Sequence, residues 1–366
     1  MQMRGIINNV NNSLQRKNRS GEPKMKMSTK FTTALALATI MTAAPQIGQA
    51  NEVNVYSSRH YQADQEIFRA FEKQSGIRVN IVEGNVNALF ERLRREGPNS
   101  PADVLITVDA GNLGRAQTAA LFQPMSSEIV QKFVPAHLRE PTGLWTGLTM
   151  RARVLMYHTE RVKPSQLSTY EDLADPRWKH KILIRSSNNI YNQSLVASML
   201  AAHGDRETLD WAKGLVENLA RKPKGGDRDQ IRAVGAGEGD IAVANTYYLG
   251  WLAASKESKD QELVAKIGVF FPNQLGRGTH VNISGAGITR YARNKANAVK
   301  LIEFLLSRES QRTFADANYE YPVRADVPPH PIIAGWGKFK ADSLNVTVIG
   351  AKNPDAVRLM DRAGWR

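Results

Sequence analysis

Short apolar runs alternate with amphipathic stretches along most of the chain after residue 50. The runs are rich in β-branched residues, whereas the apolar residues of the stretches recur at helical spacing. Strands are predicted over residues 53–57, 79–82, 104–108, 181–184 and 241–244. Helices are predicted over residues 62–74, 88–95, 111–121, 193–202, 249–255 and 292–306. This alternation predicts an α/β fold with parallel strands, and the length of 366 residues suggests about two domains.

The first 50 residues carry a different pattern. Lysines precede an apolar run over residues 31–44, and the segment ends in the small-residue sequence Gly48-Gln49-Ala50. This order is typical of a secretory signal peptide, which predicts that residues 1–50 are a leader and that the exported protein begins near residue 51. The alternative is a membrane anchor, but the apolar run is shorter than the ~20 residues that a spanning helix needs.

The amino-acid composition excludes several kinds of site and partner. The chain has no cysteine, which excludes disulfides, thiolate-bound metals and thiol nucleophiles. The first 50 residues hold seven of the 49 basic and one of the 35 acidic residues, so the remainder has a formal net charge of +8 rather than +14. Its basic residues are scattered and not interleaved with aromatic ones, so no nucleic-acid partner is expected. A positive surface is compatible with peripheral association with an anionic membrane.

Tyrosines follow three of the predicted strands. Tyr61 follows the first strand with His60 beside it, Tyr191 follows the fourth, and the pair Tyr247-Tyr248 follows the fifth. Each lies in a Ser-, Asn- or Thr-containing segment that can cap the next helix. Because open α/β sheets bind ligands at the carboxyl ends of their strands, these side chains are candidates for one shared site.

Ionising a phenol at pH 7 costs roughly 4 kcal/mol, since its pKa is near 10. A bound metal ion can supply that free energy, and hard anionic phenolate oxygens suit a trivalent ion such as Fe(III) better than zinc or copper. The alternative is that these tyrosines only pack in the core. Their recurrence at three strand ends makes the two interpretations about equally good.

Signs of catalysis are weak. Residues 235–239 contain three glycines but lack the spacing of a dinucleotide-binding loop, and they precede a strand instead of following one. The acidic residues at 227–229 are expected to be solvated. The chain contains no nucleophile elbow and no zinc-protease or P-loop motif, so an enzyme is not expected. A second possibility is a solute-binding protein for an oxyanion or a polyamine that uses no metal.

Four segments carry a resemblance to a known family. They are VYSSRHY at 55–61, ADV at 102–104 with DAG at 109–111, LADPRW at 173–178, and GDIAVANTYY at 239–248. Over essentially residues 51–366, the chain resembles the periplasmic ferric-iron-binding proteins of ABC transporters, most closely the cyanobacterial FutA/IdiA group. The His-Tyr and Tyr-Tyr pairs are specific to iron binders, whereas the second and third segments are shared with wider solute-binding relatives.

The resemblance implies a two-lobed class II periplasmic solute-binding protein fold with a hinge and an interlobe cleft. It also implies that Tyr61, Tyr191, Tyr247 and Tyr248 bind Fe(III), with His60 as a further or conditional ligand. Because Tyr61 stands beside His60, the chain is similar to members that need no synergistic carbonate or citrate. The resemblance further implies an exported periplasmic monomer that delivers iron to an ABC-transporter permease in the inner membrane.

Four phenolates on a trivalent ion leave a net charge of −1, and a buried charge needs a partner. Arg151 or Arg153, in the segment expected to cross between the lobes, is a candidate, although either could equally be a solvated strand residue. The family fold implies one lobe of residues 51–151 with 279–327 and another of residues 152–278 with 328–366.

Overall fold

The computed structural model describes residues 51–59 and 61–366. The leader expected over residues 1–50 and the ligand expected at His60 lie outside the described residues, so both stay predictions. No helix in the described part of the chain is long and apolar enough to cross a membrane.

The described strands form one mixed sheet. They are β1 (Glu52–Ser57), β2 (Arg78–Glu83), β3 (Val104–Val108), β4 (Phe122–Gln123), β5 (Thr146–His158), β6 (Ile182–Leu183), β7 (Ile241–Asn245), β8 (Ile267–Phe270), β9 (Val281–Thr289) and β10 (Tyr321–Pro322). The strand order is β2-β1-β3-β9-β5-β7-β6, with β4 paired to β9, and β8 and β10 paired to β5.

Helices cover the sheet. They are α1 (Gln62–Ser75), α2 (Val86–Glu96), α3 (Ala110–Thr118), α4 (Glu128–Phe133), α5 (Ile190–Glu217), α6 (Asp227–Gly235), α7 (Thr246–Ala253), α8 (Ser258–Val264), α9 (Lys295–Leu305), α10 (Arg308–Asn318), α11 (Pro331–Ala334) and α12 (Val346–Arg362). Short 3-10 helices occur at Gly97–Asn99, Ala136–Leu138, Pro164–Gln166, Glu171–Ala174 and Pro176–Trp178.

The expectation of a parallel sheet is only partly correct. β1 pairs in parallel with β2 and β3, and β6 pairs in parallel with β7. However, β9 lies antiparallel between β3 and β5, and β5 is antiparallel to β7 and β8. The alternation of strands and helices along the sequence cannot predict these antiparallel pairs, because β9 lies more than a hundred residues after the strands with which it pairs.

β5 is the strand that joins the two halves of the sheet. Residues from Thr146 to Ala152 pair with β9, whereas residues from Arg153 to Tyr157 pair with β7. The partner therefore changes at Ala152/Arg153, within the segment that the sequence suggested as a crossover.

The last helix packs on both α3 and α5. Gly114 of α3 and Gly350 of α12 meet so closely that a Cβ atom on Gly114 would lie 2.7 Å from the Cα atom of Gly350. Only glycines allow two helix backbones to approach this far. Trp365, just beyond α12, is buried and donates through Nε1 to the carbonyl of Arg185 at 3.0 Å.

Candidate metal centre

The four candidate tyrosines lie at the N-terminal ends of three helices. Tyr61 is the residue that precedes the first turn of α1, and Tyr191 is the second residue of α5. The side chain of Asn189 accepts a hydrogen bond from the backbone N–H of Tyr191 at 3.1 Å and so caps α5. Tyr247 and Tyr248 lie in the first turn of α7, which follows β7 without a loop. Strand alternation therefore no longer separates these two neighbours, and both can face one point.

Three of these side chains contact one another directly. The hydroxyl of Tyr247 donates to the hydroxyl of Tyr191 at 3.3 Å, and the ring centroids of Tyr247 and Tyr248 are 4.2 Å apart. Two oxygens each about 2 Å from a small hard cation, and about 90 to 110° apart at it, lie roughly 2.8 to 3.3 Å from each other. The Tyr191 and Tyr247 hydroxyls thus already have the separation of two adjacent ligands.

Tyr61 reaches the same region from the other half of the sheet. Its ring centroid lies 6.1 Å from that of Trp251 on α7, and the guanidinium of Arg59 lies 4.9 Å from its centre. Arg59 is buried and paired with Asp64 at 2.9 Å and with Glu320 at 3.1 Å. This pairing fixes the segment that leads into Tyr61.

Burial raises the pKa of the Tyr61, Tyr247 and Tyr248 phenols, because the charged form is separated from water. The nearby Glu320 carboxylate raises the pKa of Tyr61 further, and the neighbouring Tyr191 raises that of Tyr247. These phenols therefore stay protonated near neutral pH unless a cation binds among them.

Arg151 is one of the arginines that lie beside the candidate tyrosines. Its guanidinium lies 5.5 Å from the ring centre of Tyr191, and its side chain is 2% exposed. Nη1 donates to the Ser284 hydroxyl at 3.2 Å, and Nη2 lies 3.7 Å from the Asp109 carboxylate. Nε and Nη2 have no hydrogen-bond partner. The candidate site thus contains a buried guanidinium group, two of whose nitrogens make no hydrogen bond.

Arg153 has a different environment. It donates to Asp227 at 3.0 Å, Asn245 at 3.1 Å, Asn192 at 2.6 Å and the carbonyl of Val243 at 3.2 Å. The expectation of a solvated acidic run at 227–229 is wrong for Asp227, which is 1% exposed. Arg153 consequently ties together the end of β7 and the first turns of α5 and α6.

Replacing Arg153 with methionine should lower the free energy of unfolding by about 3 kcal/mol, because Asp227 is left as a buried charge with only Arg185, 3.8 Å away, as its counter-ion. Urea unfolding of the iron-free protein measures this. The control is Arg161→Met, which removes an exposed ion pair with Asp240 and should cost less than about 1 kcal/mol. Equal costs for the two variants would contradict the structural role of Arg153.

Several residues around the tyrosines were not identified from the sequence. Arg228 lies 5.8 Å from the ring centre of Tyr248 and 4.8 Å from that of Trp251. Glu320 and Asp109 come from distant parts of the chain. Asp109 is the first residue of the DAG segment, so the sequence did mark its position. The residues that it contacts could not be predicted from the sequence. Among the described residues, no group of three or more His, Asp or Glu side chains could hold a metal ion.

Comparisons with known proteins identify the family of this chain. The model of a family described as bacterial extracellular solute-binding protein matches residues 99–334. Iron uptake protein A1 of Synechocystis sp. is 51% identical over 319 residues, which cover 87% of this chain and 89% of that protein. The chain belongs to this solute-binding family, in the group of the cyanobacterial iron uptake proteins.

Two solved structures extend this similarity to the fold. A Trichodesmium protein named IdiA or FutA, in complex with iron and citrate ligands, has a TM-score of 0.84 at 54% identity over 86% of this chain and 100% of that one. Apo FutA2 from Synechocystis has a TM-score of 0.83 at 50% identity over 87% of this chain and 100% of that one. The predicted two-lobed solute-binding fold is thereby confirmed for this member of the family.

Proposed function

We propose that this protein binds Fe(III) through the phenolates of Tyr61, Tyr191, Tyr247 and Tyr248 and delivers it for uptake through an ABC transporter. The observation that carries the proposal is the meeting of the Tyr191, Tyr247 and Tyr248 side chains at two helix N-termini. Tyr61, from the other half of the sheet, lies beside Trp251 of α7, the helix that carries Tyr247 and Tyr248. Relatives named as iron uptake proteins and a neighbour that holds iron support it.

The charge balance favours a trivalent ion. Four phenolates around Fe(III) carry a net −1, and the buried Arg151 guanidinium supplies a compensating +1 close to Tyr191. The N-terminal ends of α5 and α7 add partial positive charge, which stabilises phenolate over phenol. A divalent ion in the same shell would leave −2, which doubles the negative charge that the surrounding arginines would have to balance.

We further propose that the site closes by a hinge motion. The lobes are residues 51–151 with 279–327 and residues 152–278 with 328–366, and the change of β5 partners at Ala152/Arg153 supports a crossover there. The closed, loaded form is then the one that a permease in the inner membrane recognises. The protein acts in the periplasm as a monomer and a carrier rather than an enzyme, and residues 1–50 direct its export.

We retain the prediction that no exogenous anion is needed in the iron shell, with His60 as a further ligand. The combined negative charge of four phenolates already exceeds the positive charge of Fe(III). The Trichodesmium structure with iron and citrate ligands supplies the competing hypothesis, in which an anion shares the shell.

A metal-free polyamine site is less favoured, because the buried carboxylates near the tyrosines are already paired. Glu320 is bound by Arg59, and Asp227 by Arg153. A cationic solute would have to compete with both arginines.

Visible absorption of the purified exported chain with ferric nitrilotriacetate tests the proposal. Phenolate-to-iron charge transfer should give a visible band at one iron per protein, with and without added citrate. A protein that stays colourless, and whose calorimetric titration responds to sulfate or spermidine instead, would overturn the proposal. A band that requires citrate would overturn only the prediction about the anion.

A further inference from the structure

Asp109 occupies a backbone conformation that is unusual for its residue type. It joins β3 to α3 with φ of 77°, and its side chain is fully buried. Its backbone N–H donates to the carbonyl of Ile283 on β9 at 2.8 Å, which holds this turn in place. A strained backbone conformation of this kind persists where the surrounding contacts hold it in place.

The carboxylate of Asp109 accepts three hydrogen bonds, from α3, α5 and β9, and lies near a cation on β5. It accepts from the backbone N–H of Gly111 at 2.8 Å, from the hydroxyl of Ser194 on α5, and from the amide of Asn282 on β9 at 3.0 Å. Arg151 on β5 lies 3.7 Å away. Burial raises the pKa of this carboxyl group, and Arg151 and these hydrogen bonds oppose the rise.

Two of these contacts lead to the same tyrosine. Ser194 is three residues after Tyr191 on α5, so both side chains lie on one face of the first helical turns. Arg151 lies over the Tyr191 ring itself. Asp109 therefore constrains the backbone that carries Tyr191 and also the cation that faces its ring.

We propose that Asp109 is a positioning residue that sets the orientation of Tyr191 toward the iron, through Ser194 on one side and Arg151 on the other. It does not touch the metal. The inference rests on the proposed function, because it assumes that Tyr191 is an iron ligand.

Ser194→Ala removes the hydrogen bond between Asp109 and α5, which is one of the two connections to Tyr191, and leaves the strained turn unaltered. A hydrogen bond to a charged group contributes enough that Fe(III) affinity should fall about 10- to 100-fold in competition with a chelator. The visible band should shift as the Tyr191 phenolate reorients. The matched control is Thr208→Val, which removes a buried α5 hydroxyl that bonds only to the carbonyl of Gly204 in the same helix. It should change the affinity less than about twofold.

A double-mutant cycle separates positioning from general support of the fold. In a Tyr191→Phe background, Ser194→Ala should change iron affinity less than about twofold, because no phenolate is left at Tyr191 to orient. An undiminished effect of Ser194→Ala in that background would overturn the inference, as would a wild-type affinity of Ser194→Ala alone.

Asp109→Asn provides a second variant, which keeps the size and shape of the side chain. It keeps an oxygen for Ser194 and places an amide donor toward Asn282 and Arg151. Iron affinity should fall, and the fall should again vanish with Tyr191→Phe, while the thermal midpoint of the iron-free protein reports whether the variant folds. Absence of the visible band in the wild-type protein would contradict the proposed function. If the wild type shows the band but the affinity losses simply add to that of Tyr191→Phe, only the role of Asp109 is contradicted.

Discussion

Replacing both Tyr247 and Tyr248 with phenylalanine should reduce iron affinity at least about 100-fold per substitution and weaken the visible band, because only Tyr61 and Tyr191 remain as phenolate ligands. Mutating a residue that only hydrogen-bonds to a metal ligand typically lowers metal affinity about 10- to 100-fold. A larger loss is expected here, because these phenols are proposed as direct ligands. The rings, whose centroids are 4.2 Å apart, remain packed in the double variant. Its unfolding free energy should therefore change by no more than about 2 kcal/mol. Absorption spectra, chelator competition and urea unfolding measure the three quantities.

Tyr157→Phe is the matched control, since Tyr157 is a buried tyrosine of β5 that the proposed ligand set does not include. It should leave the band and the affinity unchanged. Tyr61→Phe should weaken binding and also loosen closure, whereas His60→Ala should cost less, because a water can replace the imidazole. If the double phenylalanine variant kept the band undiminished and His60→Ala lost it, the assignment of the site would be wrong even in an iron-binding protein.

Iron binding should release protons, and it should fail as the solution is acidified. Because burial raises the pKa of Tyr61, Tyr247 and Tyr248, these phenols are protonated in the iron-free protein at neutral pH. Binding as phenolates then frees one proton from each of these three ligands. Affinity must rise with pH and fall as pH falls, since protons and metal compete for the same oxygens.

Proton release can be counted with a pH indicator in weak buffer, after subtracting the protons of the ferric chelate alone. Tyr61→Phe should release about one proton fewer than the wild type. The absorbance of the band should fade on acidification, with a contribution near pH 6.5 if His60 is a ligand. Constant iron occupancy between neutral pH and about pH 4 would contradict a shell made mainly of phenolates.

The positions of the tyrosines could be predicted because they depend on local pattern. β3 begins and ends where the apolar run does, and β7 ends directly before the turn that carries Tyr247. The boundaries of α5 were harder, since the helix begins at Ile190 and continues to Glu217 through a kink at Gly204. Local pattern therefore located the strand ends better than the helix ends.

The partners of the buried charges could not be predicted. Arg153 and Asp227 are 74 positions apart, and Arg59 and Glu320 are 261 apart. No local periodicity reports which arginine meets which carboxylate over such separations. Two strand arginines that looked alike in the sequence consequently have different surroundings. Arg151 faces the tyrosines, whereas Arg153 is enclosed by Asp227 and three other acceptors.

β9 (Val281–Thr289) supplies the strand between β3 and β5, although both of its neighbours precede it by more than a hundred residues. A ribosome releases the chain from its N-terminus, so β3 and β5 have unpaired edges until the last quarter of the protein has been made. The first half of the sheet cannot be completed before then, and its exposed edges need protection from association with other chains. For the export proposed above, if the chain crosses the membrane unfolded, late arrival of the central strand would keep the polypeptide in a form that can still be translocated.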